Sequence, residues 1–259
     1  MAFEAVKKYE LNKKGHDFIV GDIHGAFNLL DRAMDSAGFD PTVDRLFSLG
    51  DLIDRGPNSG QALEFLSRPY VHAIRGNHEA AFIDIFSGYK ENNPISKAVK
   101  QYYANTFLAD WLMDVEDAFL FEMLSAFEKL PYAMEVEAIN GQTGMVHGDI
   151  YGDNWNAFTD GLRQGDSFII EEALWGRERV LRGTETIIKG IDQIYIGHTI
   201  VPFVRSLGNV FAIDTGAIFK ELKSDLATSE KLTLISLNAD QNRFYQYSTE
   251  SDSDFVVIR

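Results

Sequence analysis

The stretch Leu46-Phe47-Ser48-Leu49-Gly50-Asp51-Leu52-Ile53-Asp54-Arg55-Gly56 runs from an apolar strand into a loop carrying two carboxylates and a guanidinium. The same grammar recurs on both sides of it. Phe18-Ile19-Val20 leads into Gly21-Asp22-Ile23-His24-Gly25, and Val71-His72-Ala73-Ile74 leads into Arg75-Gly76-Asn77-His78-Glu79. A helical pattern follows each loop, at roughly residues 27–38, 58–67 and 79–86. Alternating strand, loop and helix is the pattern of βαβ units in an α/β fold. Open sheets of that kind bind ligands at the carboxyl ends of their strands. Carboxylates, imidazoles and an amide at that edge suit divalent cations, and the arginines suit an oxyanion beside them.

The rest of the chain reads differently. Residues 95–129 show no strand alternation, and Val99, Tyr102, Tyr103, Phe107, Trp111 and Leu112 fall at helical spacing. Those aromatics are expected to pack a core or a cap. Strand character returns at residues 132–137 and 142–146, followed by a polar loop and a helix at 167–175. Strands then dominate, at 193–196, 210–213, 232–237, 244–247 and 255–258, with a polar surface excursion at 219–230. A βαβ half followed by a mostly β half predicts two facing sheets flanked by helices. One domain over residues 1–259, with a helical insertion or cap at about 95–129, accommodates this.

Composition bounds the chemistry. Apolar residues make up 45% of the 259-residue chain and charged residues 24%, which is ordinary for a globular protein with a sizeable core. No apolar run is long enough to span a bilayer, and Met1 to Lys8 lacks the features of a signal peptide, so a cytoplasmic location is expected. There is no cysteine, which excludes disulfides, thiolate metal sites and a cysteine nucleophile. The 24 basic residues face 39 acidic ones, for a net charge of −15, which disfavours general nucleic-acid binding. Eight of the acids lie between Asp110 and Glu137 against a single lysine. Net charge does not exclude a small anionic substrate, because the local field governs binding.

Asp22 and His24 are two residues apart at a strand end, so their side chains share a side if the strand geometry persists. They could bind one ion. Asp51 could bridge two cations with its two oxygens, and Asn77 offers a neutral oxygen. His147, after Met145-Val146, and His198, in Ile196-Gly197-His198-Thr199, add imidazoles at two further strand ends. Mixed nitrogen and oxygen donors suit Mn²⁺, Fe or Zn²⁺ better than Ca²⁺. A strand-end Asp taken alone is more often a helix cap or turn former, and His16 and His72 have no such context.

The three opening segments resemble the signature motifs of metal-dependent phosphoprotein phosphatases in the calcineurin-like metallophosphoesterase superfamily. The resemblance is strongest to the compact bacterial and bacteriophage lambda type of serine/threonine protein phosphatase. It runs from about residue 17 to residue 237, with Val146-His147-Gly148 and Gly197-His198-Thr199 following the three segments in family order. Asp214-Thr215-Gly216-Ala217 is similar to the family's late strand turn. The resemblance implies an αββα sandwich and two divalent metal ions, Mn²⁺ first among them. Asp22, His24, Asp51 and His198 would hold one ion, and Asp51, Asn77 and His147 the second, with Asp51 bridging. It further implies direct attack of a metal-bound water or hydroxide on phosphorus. Arg55 and Arg75 would hold phosphate oxygens, and His78 would act as general acid with Asp54 as its carboxylate partner. Arg177, in Leu174-Trp175-Gly176-Arg177, resembles a third phosphate-binding arginine, with Arg179 as its rival two residues on. Glu79, Asp149 and Asp214 read as structural.

The expected function is therefore a metal-dependent phosphomonoesterase, first of all a protein serine/threonine phosphatase, acting on a phosphorylated protein or a small phosphoester. The alternative is a nucleotide-directed hydrolase of dinucleoside polyphosphates or of RNA-end or 2′,3′-cyclic phosphates. Bacterial relatives that cleave symmetric dinucleoside tetraphosphates share these motifs but carry Ala where this chain has Asp54. A non-catalytic metal- or phosphate-binding module ranks below both. Neither membrane association nor an oligomeric state is implied.

Overall fold

A computed structural model describes residues 3–218, 231–236 and 243–248. The expected strand at 255–258 and the excursion at 219–230 lie outside the described residues. In chain order the elements are β1 (Val6–Tyr9), β2 (Asp17–Val20), α1 (Phe27–Ala37), β3 (Arg45–Ser48), α2 (Ala62–Ser67), β4 (Val71–Ala73) and α3 (Asn77–Phe86). Then follow α4 (Lys97–Phe107), α5 (Asp117–Phe127), β5 (Ala133–Ala138), β6 (Gly141–Val146), α6 (Trp155–Gln164), α7 (Ser167–Trp175) and α8 (Glu178–Arg182). The last are β7 (Gln193–Ile196), β8 (Arg205–Leu207), β9 (Val210–Ala212), β10 (Lys231–Ser236) and β11 (Arg243–Ser248). Short 3-10 turns at Ser59–Gln61 and Asp110–Asp114 lead into α2 and follow α4.

The strands form two mixed sheets. One has the order β11-β10-β2-β3-β4 and the other β1-β5-β6-β7-β9-β8. The strands that precede the motifs are parallel neighbours: β2 with β3, β3 with β4, and β6 with β7. Parallel pairing brings their carboxyl ends, and therefore their loops, to a common edge.

Period-two alternation explains the layers. In β2, Phe18 and Val20 join the core shared with α1 to α5, whereas Ile19 faces the other sheet. In β7, Ile194 and Ile196 pack with the core under α6 to α8, whereas Tyr195 faces inward. Ile19, Phe47, Met134, Met145 and Tyr195 thus fill the space between the two sheets. Strands buried on both faces read as continuous apolar runs, which is how Phe18-Ile19-Val20 appears in the sequence. Among the described residues no helix is long and apolar enough to cross a membrane.

Four elements, α6, α8, β1 and β8, are not legible in the sequence. Residues 155–164 were expected to be loop, yet they form α6. Trp155, Phe158 and Leu162 are buried at helical spacing, and the Asn154 side chain caps the helix by accepting from the Ala157 N–H. Strand β1 also escaped notice, because its lysines hide a short edge strand that pairs with β5.

Candidate active site

Six loops meet at the carboxyl edges of the two sheets. Asp22 and His24 follow β2, Asp51, Asp54 and Arg55 follow β3, and Arg75, Asn77 and His78 lie between β4 and the first turn of α3. His147 follows β6, His198 follows β7 and Asp214 follows β9. The backbone there is constrained. Of six non-glycine residues with positive φ among the described residues, five are His24 (46°), Asp51 (49°), Asp54 (71°), Arg55 (66°) and His198 (63°). Left-handed backbone is unfavourable for side-chain-bearing residues and persists where the surroundings over-determine it, as at functional sites.

Two features lock these loops together. Gly50 adopts φ 90°, and a Cβ on it would lie 2.4 Å from the Gly76 nitrogen, so the second and third loops touch backbone to backbone. Glu79, fully buried, accepts from three backbone N–H groups, those of Asp51 (2.9 Å), Leu52 (2.8 Å) and Gly76 (2.9 Å). Its reach back to Gly76 is one half of a capping box at the start of α3. Burial and the neighbouring Asp51 charge push the Glu79 carboxyl up to about 7, against the N–H donors that favour the anion.

Asp51 is the hub. Its Oδ1 accepts from the His78 N–H at 3.0 Å and lies 3.4 Å from His147 Nε2, while Oδ2 lies 3.5 Å from His24 Nε2. Burial would raise its carboxyl, but the imidazoles of His147, His78 and His24 hold it well below the carboxylate range. The histidines are oriented by backbone carbonyls. His24 Nδ1 donates to the Ile53 carbonyl at 2.8 Å and His147 Nδ1 donates to the Leu49 carbonyl at 2.7 Å. A carbonyl only accepts, so each Nδ1 carries the hydrogen and each Nε2 presents a lone pair.

These lone pairs converge on other acceptors. His147 Nε2 lies 2.9 Å from Asn77 Oδ1, and the buried Nε2 of His198 has no hydrogen-bond partner. Burial lowers the pKa of His24, His147 and His198, with His198 taken down to about 2, which favours the neutral imidazole. Lone pairs that face one another, as those of His147 Nε2 and Asn77 Oδ1 do, suit a cation between them, and neutral imidazole is the form that binds one. The ligand atoms of Asp51, His147 and His198 lie within 4.8 Å of one another, and so do those of His24, Asp51 and His78, a group in which Asp22, 3.9 Å from His24 Nε2, offers a carboxylate that can stand in for the His78 imidazole. Asp51 is common to both groups, as a bridging carboxylate must be. The residues therefore fit two divalent ions.

The resemblance placed His198 with Asp22 and His24. The structure instead stacks its ring near His147, with centroids 4.9 Å apart, within reach of Asp51. Asp22 accepts from the His198 backbone N–H at 3.0 and 3.2 Å and lies 3.9 Å from His24 Nε2. Burial beside Asp214 and Asp51 raises the Asp22 carboxyl well above its ordinary range, a cost that a cation would relieve.

The arginines divide. Arg55 approaches His24 Nε2 through its guanidinium. Arg177 donates to the His198 carbonyl at 2.8 Å and to Thr199 Oγ1 at 3.3 Å, close enough to Arg55 for the two charges to repel. Arg179 is a different kind of residue. It is buried, pairs with Asp149 at 3.4 Å and donates to the carbonyls of Thr184 and Thr186. The structure thus separates the two rivals by direction.

Arg75 is not where the resemblance put it. Its guanidinium donates to the Glu128 carbonyl at 2.9 Å and stacks over Tyr132, 4.9 Å from the ring centre. Stacking and the α5 carbonyl direct it away from the cluster, so it stands as a strut between β4 and α5.

His78 Nδ1 lies 2.7 Å from Asp54 Oδ2, both side chains buried. Burial lowers the His78 pKa, but Asp51 and Asp54 outweigh it and the net shift is upward. Two residues read from sequence as core packing also reach Asp54. Tyr103 O–H donates to its Oδ2 at 2.7 Å and Trp111 Nε1–H to its Oδ1 at 3.1 Å. Nothing in helical spacing distinguishes a packing aromatic from one whose polar tip meets a loop fifty residues away.

A family model described as calcineurin-like phosphoesterase matches residues 18–202. The serine/threonine-protein phosphatase 2 of Escherichia coli (strain K12) is 30% identical over 208 residues, covering 78% of this chain and 88% of that protein. The symmetrical bis(5′-nucleosyl)-tetraphosphatase of Photorhabdus laumondii is 34% identical over 82 residues, covering 31% of this chain and 30% of that protein. A solved structure described as that of a candidate diadenosine tetraphosphatase superposes with a TM-score of 0.64 at 16% identity, covering 94% of this chain and 98% of the other. A shared fold, five motif loops at one edge and a histidine–carboxylate cluster built for two cations agree with the family match: the chain belongs to the calcineurin-like phosphoesterases and is a phosphatase of that family.

Proposed function

We propose that this chain is a dinuclear-metal-dependent phosphomonoesterase that hydrolyses phosphoserine and phosphothreonine esters in proteins. The carrying observation is the buried Asp54–His78 pair, 2.7 Å apart, beside the cation cluster. Asp22, His24, Asp51, Asn77, His147 and His198 would hold the two ions, for which Mn²⁺ is the proposed occupant and Fe or Zn²⁺ the alternatives. Bound there, divalent ions supply an activated water and neutralise charge on the phosphoryl oxygens.

The chain's own residues do the rest. Arg55 and Arg177 supply forked donors for the phosphate oxygens and oppose the charge that builds up on them. His78 donates its Nδ1–H to Asp54, which leaves Nε2 to carry the transferable proton. As the phosphorus–oxygen bond to the alcohol breaks, the electron pair goes to the leaving oxygen, which takes that proton from Nε2. A seryl alkoxide is a poor leaving group and needs the acid. A nucleotide phosphate leaves readily without one, so the Asp54–His78 pair favours the phosphoester reading. The E. coli phosphatase also aligns over most of this chain, whereas the Photorhabdus enzyme aligns over less than a third.

A second reading, a nucleotide-directed phosphohydrolase, draws on the 34% identity to the Photorhabdus tetraphosphatase over 82 residues. The discriminating experiment compares a phosphoserine peptide, a dinucleoside tetraphosphate and a 2′,3′-cyclic nucleotide at fixed Mn²⁺, with and without chelator. The proposal expects the highest metal-dependent kcat/KM on the peptide. A higher value on the tetraphosphate would replace it with the second reading. The proposed location is cytoplasmic.

A further inference from the structure

The loop carrying Asp54 is covered by α4 and the 3-10 turn after it. Asp54 is fully buried and its carboxylate receives three donors. One is His78 Nδ1–H, and the other two, Tyr103 O–H and Trp111 Nε1–H, come from the covering segment. The same segment touches the pair once more and its neighbour Arg55 once. The Phe107 ring meets His78 edge-on at 5.5 Å, and the Leu108 carbonyl accepts from the Arg55 N–H at 2.9 Å. Leu108 ends α4 in left-handed backbone, φ 55°, facing a loop where Asp54 and Arg55 are also left-handed.

We propose that Tyr103 and Trp111 are positioning residues for the reaction: they pin both oxygens of Asp54 and so hold the His78 imidazole with Nδ1 engaged and Nε2 aimed at the cluster. The proposal rests on the acid role of His78 argued above. Packing alone does not explain the arrangement. Phenylalanine would fill the place of Tyr103 equally well, and Trp111 is only half-buried, yet each ring presents its single polar hydrogen to one carboxylate. A carboxylate held by only one donor can rotate about its final torsion, and the imidazole bonded to it turns with it. With each oxygen fixed by a rigid aromatic donor, that torsion is closed. Burial and the Asp54 charge raise the Tyr103 hydroxyl well above its ordinary range, so it remains a donor. His78 Nε2 then stands 3.9 Å from Asp51 Oδ2, on the cluster side of the ring.

The test removes each donor and leaves an aromatic ring in its place, the same ring in Tyr103→Phe and a smaller one in Trp111→Phe, both compared with wild type and His78→Asn as Mn²⁺-loaded enzymes. Turnover is measured on a phosphoserine peptide and on p-nitrophenyl phosphate, whose phenolate leaves with little help from an acid. Each variant is expected to lose about three- to tenfold in kcat on the peptide, with less loss on the aryl ester and little change in KM. Proton NMR without paramagnetic ions gives a readout independent of turnover. The carboxylate-bound His78 Nδ1–H resonance should be visible in wild type and broadened by faster exchange in both variants. Equal losses on the two substrates, or an unchanged resonance, would overturn the proposal. If Tyr103→Phe does not fold, Trp111→Phe decides alone, since Trp111 is only half-buried. A wild-type peptide-to-aryl ratio in His78→Asn would instead remove the acid role itself. A changed ratio there with unchanged Tyr103→Phe and Trp111→Phe removes only the positioning role.

Discussion

Glu79 is the sharpest place to perturb the site without touching a proposed metal ligand. Its two oxygens accept from the N–H groups of Asp51, Leu52 and Gly76 at 2.8–2.9 Å, in a fully buried position. Glu79→Gln keeps the shape but replaces one oxygen with NH₂. The amide oxygen can keep two of these donors, while the new N–H₂ faces a third N–H. One charge-assisted bond is lost and one buried donor is stranded, which together cost about 2–4 kcal/mol. The two remaining bonds also weaken once the acceptor is neutral. The measurement is urea unfolding at pH 8, above the value of about 7 to which the Glu79 carboxyl is pushed, so that the wild type carries the anion. Midpoint and slope are compared with and without divalent metal. Because Glu79 holds Asp51 in its left-handed backbone, the variant should also gain less stability from added metal than wild type does. A variant within about 0.5 kcal/mol of wild type in chelator, with unchanged metal stabilisation, would refute the reasoning.

Three other outcomes follow from the geometry. Arg177→Ala should weaken KM and kcat on phosphoesters with little change in unfolding midpoint. Arg179→Ala should do the reverse and cost about 3 kcal/mol, because it takes the counter-charge from the buried Asp149 carboxylate, and equal kinetic losses in both would contradict the separation of the two arginines. Gly56→Ala should lose metal-dependent turnover and destabilise, since its Cβ would lie 1.9 Å from the His24 carbonyl oxygen; a fully active, stable variant would show that the first two loops are not in contact. His72, away from the cluster between Tyr9 and Phe47, is lowered to about 4 by burial. The folded chain refuses a proton that the unfolded chain accepts, so stability is present above about pH 6.5 and is lost as pH falls towards 4. Relative to His72→Leu, wild type should lose on the order of 1–2 kcal/mol over that range, allowing for the partial exposure of the ring, and a pH-independent difference would dismiss the effect.

The class of fold is legible in the letters alone, and so are the loops that carry the candidate donors. Apolar runs ending in Gly-Asp-x-His, Gly-Asp-x-x-Asp-Arg and Gly-Asn-His encode strands that turn sharply, and parallel strands deliver their loops to one edge. Helix α6 stayed hidden because its apolar positions, Trp155, Phe158 and Leu162, are thinly spaced among asparagines and glycines. Direction, by contrast, comes from the folded arrangement. Arg75 and Arg55 look equivalent as letters, but α5 and Tyr132 draw one guanidinium away while the cluster keeps the other. Arg177 and Arg179 lie two residues apart and point to different partners. Tyr103 and Trp111 read as packing until folding sets their polar hydrogens on Asp54, about fifty residues distant in the chain. Local periodicity records which face of an element is apolar. It holds no information on which distant loop a long side chain meets, because that depends on how the two sheets and the covering helices are stacked.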